Sequence, residues 1–243
     1  MNRRSIFLLI FISFVNSQNL FGQDFKRPKA SDYPKPPKSG RSIDEFVPKD
    51  WEIVGTALGD LNGDKAEDCA LVIKAKYPEF LNKNEGLGEG LFDTNPRVLL
   101  ILFKDKNGYT VAKQSNSFII PPDSPVMSEP FQEVKIRNGV LQLSFELWQS
   151  AGSWGMTQSS YSFKFLNGSF ALIGADKTES MRNSGEMESR SYNFLTGKLK
   201  MSTGNFSSDE KNIRWKTYRV KKLKTLDTFK APFSWRIESD YYL

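Results

Sequence analysis

Apolar and polar residues alternate along much of this chain with a period of two. In the run Val140-Leu141-Gln142-Leu143-Ser144-Phe145-Glu146-Leu147, the residues Leu141, Leu143, Phe145 and Leu147 share one side, and Gln142, Ser144 and Glu146 share the other. Tyr161, Phe163 and Phe165 alternate with Ser162 and Lys164 in the same way. Successive side chains of a strand point to opposite faces, so the pattern predicts strands with one buried face. Residues 98–103 are apolar throughout and predict a strand covered on both faces. No stretch keeps a helical period over three turns.

Turn signals punctuate these runs. Asn107-Gly108, Asn138-Gly139, Asn167-Gly168 and Thr196-Gly197 each lie between two strand-like segments. Asn-Gly supplies positive φ at both central positions of a type I′ hairpin, whose twist matches that of the flanking strands. The fold class is therefore all-β, an antiparallel hairpin meander ending in a strand over residues 213–223. Its turns recur about every 30 residues, shorter than the ~40–50-residue blade of a propeller. A propeller-like arrangement and a two-sheet sandwich both remain open.

The ends of the chain read differently. Arg3 and Arg4 precede an almost unbroken apolar run over residues 6–15, followed by small and polar residues to Gln23. That run is too short to span a bilayer and predicts a signal peptide over residues 1–22, resembling bacterial export signals. The mature chain is then expected to be periplasmic or secreted, with no transmembrane segment. Residues 23–50 hold Pro28, Pro34, Pro36, Pro37 and Pro48 among charged residues and predict a disordered tether. Residues 51–243 are expected to form a single all-β domain.

Composition narrows the chemistry. The chain of 243 residues contains no histidine. Ser-His-Asp and Cys-His nucleophile systems, His-ligated zinc and His-based proton transfer are excluded. The lone Cys69 sits in the apolar run Cys69-Ala70-Leu71-Val72-Ile73 and reads as a small buried hydrophobe. The formal charge of +6 is concentrated late, in Lys211, Arg214, Lys216, Arg219, Lys221, Lys222, Lys224 and Lys230. For an exported chain this argues for a solvated strand face or an anionic glycan or membrane surface, not for nucleic acid.

One loop carries a metal signal. Asp60-Leu61-Asn62-Gly63-Asp64-Lys65-Ala66-Glu67-Asp68 places oxygen-bearing side chains at its first, third, fifth and ninth positions. Ca²⁺ needs about six to eight oxygen ligands, and a loop with alternating acids converges them where a strand does not. Strand-like flanks and Leu71 at the twelfth position exclude an EF-hand. With Gly59 and the apolar residues 69–73, the loop resembles the calcium loops of FG-GAP and VCBS-type repeats. That resemblance implies Ca²⁺ held by Asp60, Asn62, Asp64, Asp68 and the Ala66 carbonyl. Lys65 stands where those repeats carry glycine. Through Asn95-Pro96-Arg97 and residues 191–198 the whole chain also resembles exported bacterial proteins with a single such loop.

A second candidate is the segment at residues 148–157, where Trp148 and Trp154 flank small polar residues and Tyr161 follows. These aromatics either form a stacking platform for sugar rings, with Gln149, Ser153 and Gln158 as hydrogen-bonding groups, or seal the β core. Glu129, Glu133 and Glu146 supply carboxylates for the alternative function, hydrolysis of an envelope polysaccharide, which needs two carboxyls ~5–9.5 Å apart. The reading favoured by the missing histidines is a non-enzymatic exported module. It is stabilised by a structural Ca²⁺ and binds a glycan or another cell-surface partner.

Overall fold

The computed structural model describes residues 25–243, so the expected signal peptide lies outside the described residues. The chain is all-β. Its strands are β1 (Ser39–Gly40), β2 (Trp51–Gly59), β3 (Asp68–Ala75), β4 (Leu81–Lys83), β5 (Leu91–Asp93), β6 (Arg97–Asp105), β7 (Gly108–Ser115), β8 (Phe131–Arg137), β9 (Val140–Trp148), β10 (Gly155–Leu166), β11 (Ser169–Met181), β12 (Glu186–Asn193), β13 (Lys198–Asn205), β14 (Ser208–Thr217), β15 (Arg236–Glu238) and β16 (Tyr241–Tyr242). Two antiparallel sheets dominate: a five-stranded sheet of order β1-β7-β6-β3-β2 and a seven-stranded meander from β14 to β8. Neither closes, and the two-sheet sandwich fits the arrangement. The hairpins at Asn138-Gly139, Asn167-Gly168 and Thr196-Gly197 all belong to the one seven-stranded sheet, so the recurring turns do not mark separate blades.

Turn chemistry explains two of the hairpins directly. Asn138 and Gly139 have φ of 52° and 71°, and Asn167 and Gly168 have φ of 50° and 78°, the left-handed pair that a type I′ turn demands.

The core lies between the sheets. Ala70, Val72, Leu99 and Ile101 from the five-stranded sheet meet Leu141, Leu143, Phe145, Tyr161, Phe163 and Leu172 from the seven-stranded one. Phe118 sits among these, with its ring edge-on to Phe145, Tyr161, Phe163 and Phe229 at centroid distances of 5.3 to 6.0 Å.

The alternate residues of β3 and β6 face away from this core. Cys69, Leu71, Ile73, Val98, Leu100 and Leu102 form a second cluster with Phe46 and Trp51. Its outer cover is the proline-rich segment, where the sequence predicts a tether. The segment is extended, as its prolines dictate, but held. Phe46 is fully buried, Tyr33, Ile43 and Val47 pack beside it, and β1 pairs with β7. Burying a phenylalanine contributes about 1.5–3 kcal/mol, to which the packing of Tyr33, Ile43 and Val47 and the β1–β7 pairing add. Phe46 and Trp51 share a cluster, so a domain boundary at residue 51 would cut through packed side chains.

The predicted last strand, residues 213–223, begins earlier and ends at Thr217. Beyond it the chain returns across the core, where Tyr218, Val220 and Leu223 pack, and closes with the β15–β16 pair. No helix among the described residues is long and apolar enough to cross a membrane.

Candidate functional site

The acidic loop joins β2 to β3 and is stitched by its own backbone. Asp60 accepts from the Gly63 N–H at Oδ1 (2.6 Å) and from the Lys65 N–H at Oδ2 (2.9 Å). Asn62 Oδ1 accepts the Asp64 N–H (2.9 Å), and Asp64 Oδ1 accepts the Ala66 N–H (2.7 Å). Asn62 Nδ2 reaches Asp64 Oδ2 at 2.9 Å. Asp and Asn at alternate positions favour such side-chain turns. Gly63 and Lys65 both take left-handed φ, 88° and 70°, so Lys65 adopts a conformation that a glycine would enter at lower cost.

Asp68 plays another part. It is fully buried, and its two oxygens accept from the Leu61 N–H (2.8 Å) and the Lys104 N–H (2.9 Å). The carboxylate thereby ties the loop to the end of β6, the strand beside β3. Desolvation raises its pKa, opposed by those N–H groups and reinforced by the charge of Asp64. Asp60, Asn62 and Ala66 are half-buried, and Asp64 is exposed. Among the described residues, no group of three or more histidine, cysteine, aspartate or glutamate side chains is arranged to hold a metal ion.

The tryptophan loop lies at the far end of the molecule. The Asp60 carbonyl sits beside Gly139, before the start of β9, whereas Trp148 ends that strand. Nine residues at ~3.3 Å each separate the two loops by roughly 30 Å.

Here the structure separates residues that the sequence grouped. Tyr161 is fully buried in the aromatic core, where its hydroxyl accepts the Phe233 N–H (3.2 Å), so it takes no part in a surface platform. Trp148 is half-buried, and Trp154 is 61% exposed. Between the two indoles lies Arg182, with its guanidinium carbon 5.1 Å from the Trp148 ring centre and 5.8 Å from that of Trp154. Arg182 Nη2 donates to the Gln149 carbonyl (2.8 Å) and the Ser153 carbonyl (2.6 Å), and the Arg182 N–H donates to the Trp154 carbonyl (2.9 Å). The Ser150 N–H bonds the Val126 carbonyl (2.8 Å), and the Ser128 N–H bonds the Trp148 carbonyl (3.1 Å). One arginine thus fastens the loop from beneath and leaves one indole in solvent. Of the polar groups grouped with it, Ser153 Oγ accepts the Gly155 N–H (3.0 Å), and Gln158 Nε2 donates to Glu146 (2.9 Å).

Arg182 was not legible from the sequence. Counting outward from the Asn167-Gly168 turn pairs Trp154 with Met181. A bulge between Ser162 and Phe163 adds one residue and brings Arg182 opposite instead.

The carboxylates considered for hydrolysis are tied to separate partners. Glu129 bonds Arg97 (2.5 Å), Glu133 bonds Lys135 (2.5 Å), and Glu146 accepts from Gln158. Elsewhere Glu188 and Glu238 do converge, but onto Arg190, whose Nε and Nη1 lie 2.7 and 3.0 Å from them. That guanidinium stacks 3.9 Å from the Tyr241 ring centre, and Tyr192 donates to Glu238 (3.1 Å). The cluster clamps the C-terminal strand pair, and its Glu188 also lines an open groove of about 810 Å³ with Glu186 and Glu210.

No protein-family model matches this chain, and neither the curated proteins nor the solved structures contain a match to it.

Proposed function

We propose that this chain is a non-enzymatic recognition module that presents Trp154 as a stacking surface for the apolar face of a sugar ring, in a glycan outside the cell. The observation that carries the reading is the coupling of exposure with anchorage. Large exposed aromatics are costly to hydrate, and an indole folded back onto the core would be lower in free energy. Arg182 instead donates to the Gln149 and Ser153 carbonyls across the loop, which fixes it before any ligand arrives. Preorganisation of this kind reduces the ordering entropy lost on binding. Glu129, Glu133 and Glu146, the carboxylates considered for hydrolysis, are each tied to a different partner, which counts against that reading.

Calcium enters as a structural ion, in keeping with the resemblance to FG-GAP and VCBS-type loops. Asp60, Asn62, Asp64, Asp68 and the Ala66 carbonyl are the groups that would hold it. The Asp60 and Asp64 oxygens each keep a second lone pair after their N–H bonds. At roughly 30 Å from Trp154 the ion would stabilise the first hairpin without touching a ligand. Export, with residues 1–22 removed, completes the proposal.

The test is intrinsic fluorescence titration against a broad oligosaccharide panel. A saturable change in the wild type that Trp154→Ala abolishes is the expected result. No response to any glycan overturns the reading.

A further inference from the structure

Three arginines among the described residues are drawn out of solvent: Arg97, Arg182 and Arg190. Two of them are neutralised, Arg97 by Glu129 and Arg190 by Glu188 and Glu238. Arg182 has no carboxylate partner among the described residues. Its Nη2 is taken by the Gln149 and Ser153 carbonyls, its Nε is buried without a partner, and its Nη1 bonds no protein atom. The acids nearest in sequence are engaged elsewhere. Glu179 pairs with Lys177 (2.8 Å), and Glu186 lines the groove beside β14. The indoles of Trp148 and Trp154 attract the cation through their ring faces but carry no charge to balance it. Withdrawing a charge from water is costly unless an opposite charge meets it, so this site lacks an anion.

We infer that the ligand of the Trp154 loop is an acidic sugar, whose ring stacks on the exposed indole and whose carboxylate or sulfate meets Arg182 Nη1. The inference rests on the reading of Trp154 as a sugar-stacking surface and adds the charge of the sugar. Two effects act together to select it. A hydrogen bond between guanidinium and anion is stronger than one to a neutral hydroxyl, and the Nη2 bonds already hold the guanidinium in place. A neutral ring lying on Trp154 would take further water from Arg182 and return no charge, so the same cation acts against neutral sugars. The preference is therefore built from one residue that fastens the loop and reads the ligand at once.

The test changes the ligand and leaves the loop untouched. Fluorescence titration compares two matched pairs on wild-type protein: oligogalacturonate against its methyl ester, and a sulfated galactose oligomer against the same oligomer desulfated. The acidic member of at least one pair should bind about tenfold or more tighter, and which pair responds tells carboxylate from sulfate. That preference should shrink as sodium chloride rises. Neutral sugars that bind as tightly as acidic ones, with Trp154→Ala abolishing both, overturn the acidic ligand and leave the stacking surface standing. Binding of neither member of either pair, nor of any other glycan, removes both. Arg182→Gln keeps a donor for the loop carbonyls and loses the charge, so it should bind the two members of a pair alike; a retained preference overturns the proposal. Should that variant bind nothing, quenching of the wild type decides, with the Trp154 share taken from the difference to Trp154→Phe. Iodide should quench that indole more strongly than caesium does, because the unpaired cation gathers anions. Equal quenching by the two ions overturns the proposal.

Discussion

Replacing Asp68 by alanine should be the most damaging single change in the acidic loop. The carboxylate is fully buried and accepts the N–H groups of Leu61 and Lys104 at 2.8 and 2.9 Å. Each hydrogen bond to a charged group is worth about 1.5–3 kcal/mol, so the two together amount to about 3–6 kcal/mol. Part of this is offset, because removing a carboxylate that is itself poorly solvated recovers some desolvation cost, the same cost that raises its pKa. A net loss of about 3 kcal/mol is expected, lowering Tm by roughly 6–12 °C for a chain of this size. Asp68→Asn keeps one acceptor and turns an NH₂ towards the other N–H, so it should lose about half as much. Urea unfolding at pH 7 in calcium-free buffer measures both. An alanine variant within about 1 kcal/mol of wild type would refute the argument, because two buried N–H groups would then have lost their partner without consequence.

Further outcomes follow from the same geometry. Calcium at millimolar levels should raise Tm relative to EDTA, since an ion bound only to the folded state adds to its stability; Asp64→Ala should erase that difference, and identical melts for wild type in both buffers would remove the ion from the account. Burial raises the Asp93 pKa, but the Asn95 N–H and amide and Lys74 outweigh it, and the net shift is downward. Asp93 therefore contributes stability above the usual carboxylate pKa that is lost as pH falls through its lowered folded value. Urea unfolding of wild type and Asp93→Asn should accordingly converge as pH falls below the usual carboxylate pKa of about 4, and a constant gap would contradict this. Burial, reinforced by Asp68, pushes the Cys69 thiol up to about 12. Ellman's reagent at pH 8 should leave Cys69 unmodified until denaturant is added, and rapid labelling of the native protein would contradict that burial.

What the sequence reveals depends on how local the cause is. Alternation in β9 and β10 and the Asn-Gly turns are set by neighbouring residues, and both appear where the pattern places them. Residues 98–103 read as doubly covered, and they are; the nature of the second cover was hidden. Phe46 and Tyr33 stand singly among prolines and charges, so no periodicity announces that they pack on β3 and β6. Tyr161 and Trp154 look alike as aromatics near one loop, yet the inward parity of β10 buries the first. Arg182 eluded the pairing count because a single bulged residue shifts the register of β10 against β11. In β14 the dense Lys and Arg predict a solvated face, and all ten of its residues are exposed.

The central claim is that Trp154, held by Arg182, is the surface on which a glycan stacks. Isothermal titration of a panel-selected oligosaccharide into wild type and Trp154→Ala tests it most directly. Loss of one stacking ring should weaken binding by about 1–2 kcal/mol, roughly five- to thirtyfold. Equal affinity of Trp154→Ala and wild type for the same oligosaccharide would contradict the account, because binding would then proceed without the one indole that the loop holds in solvent.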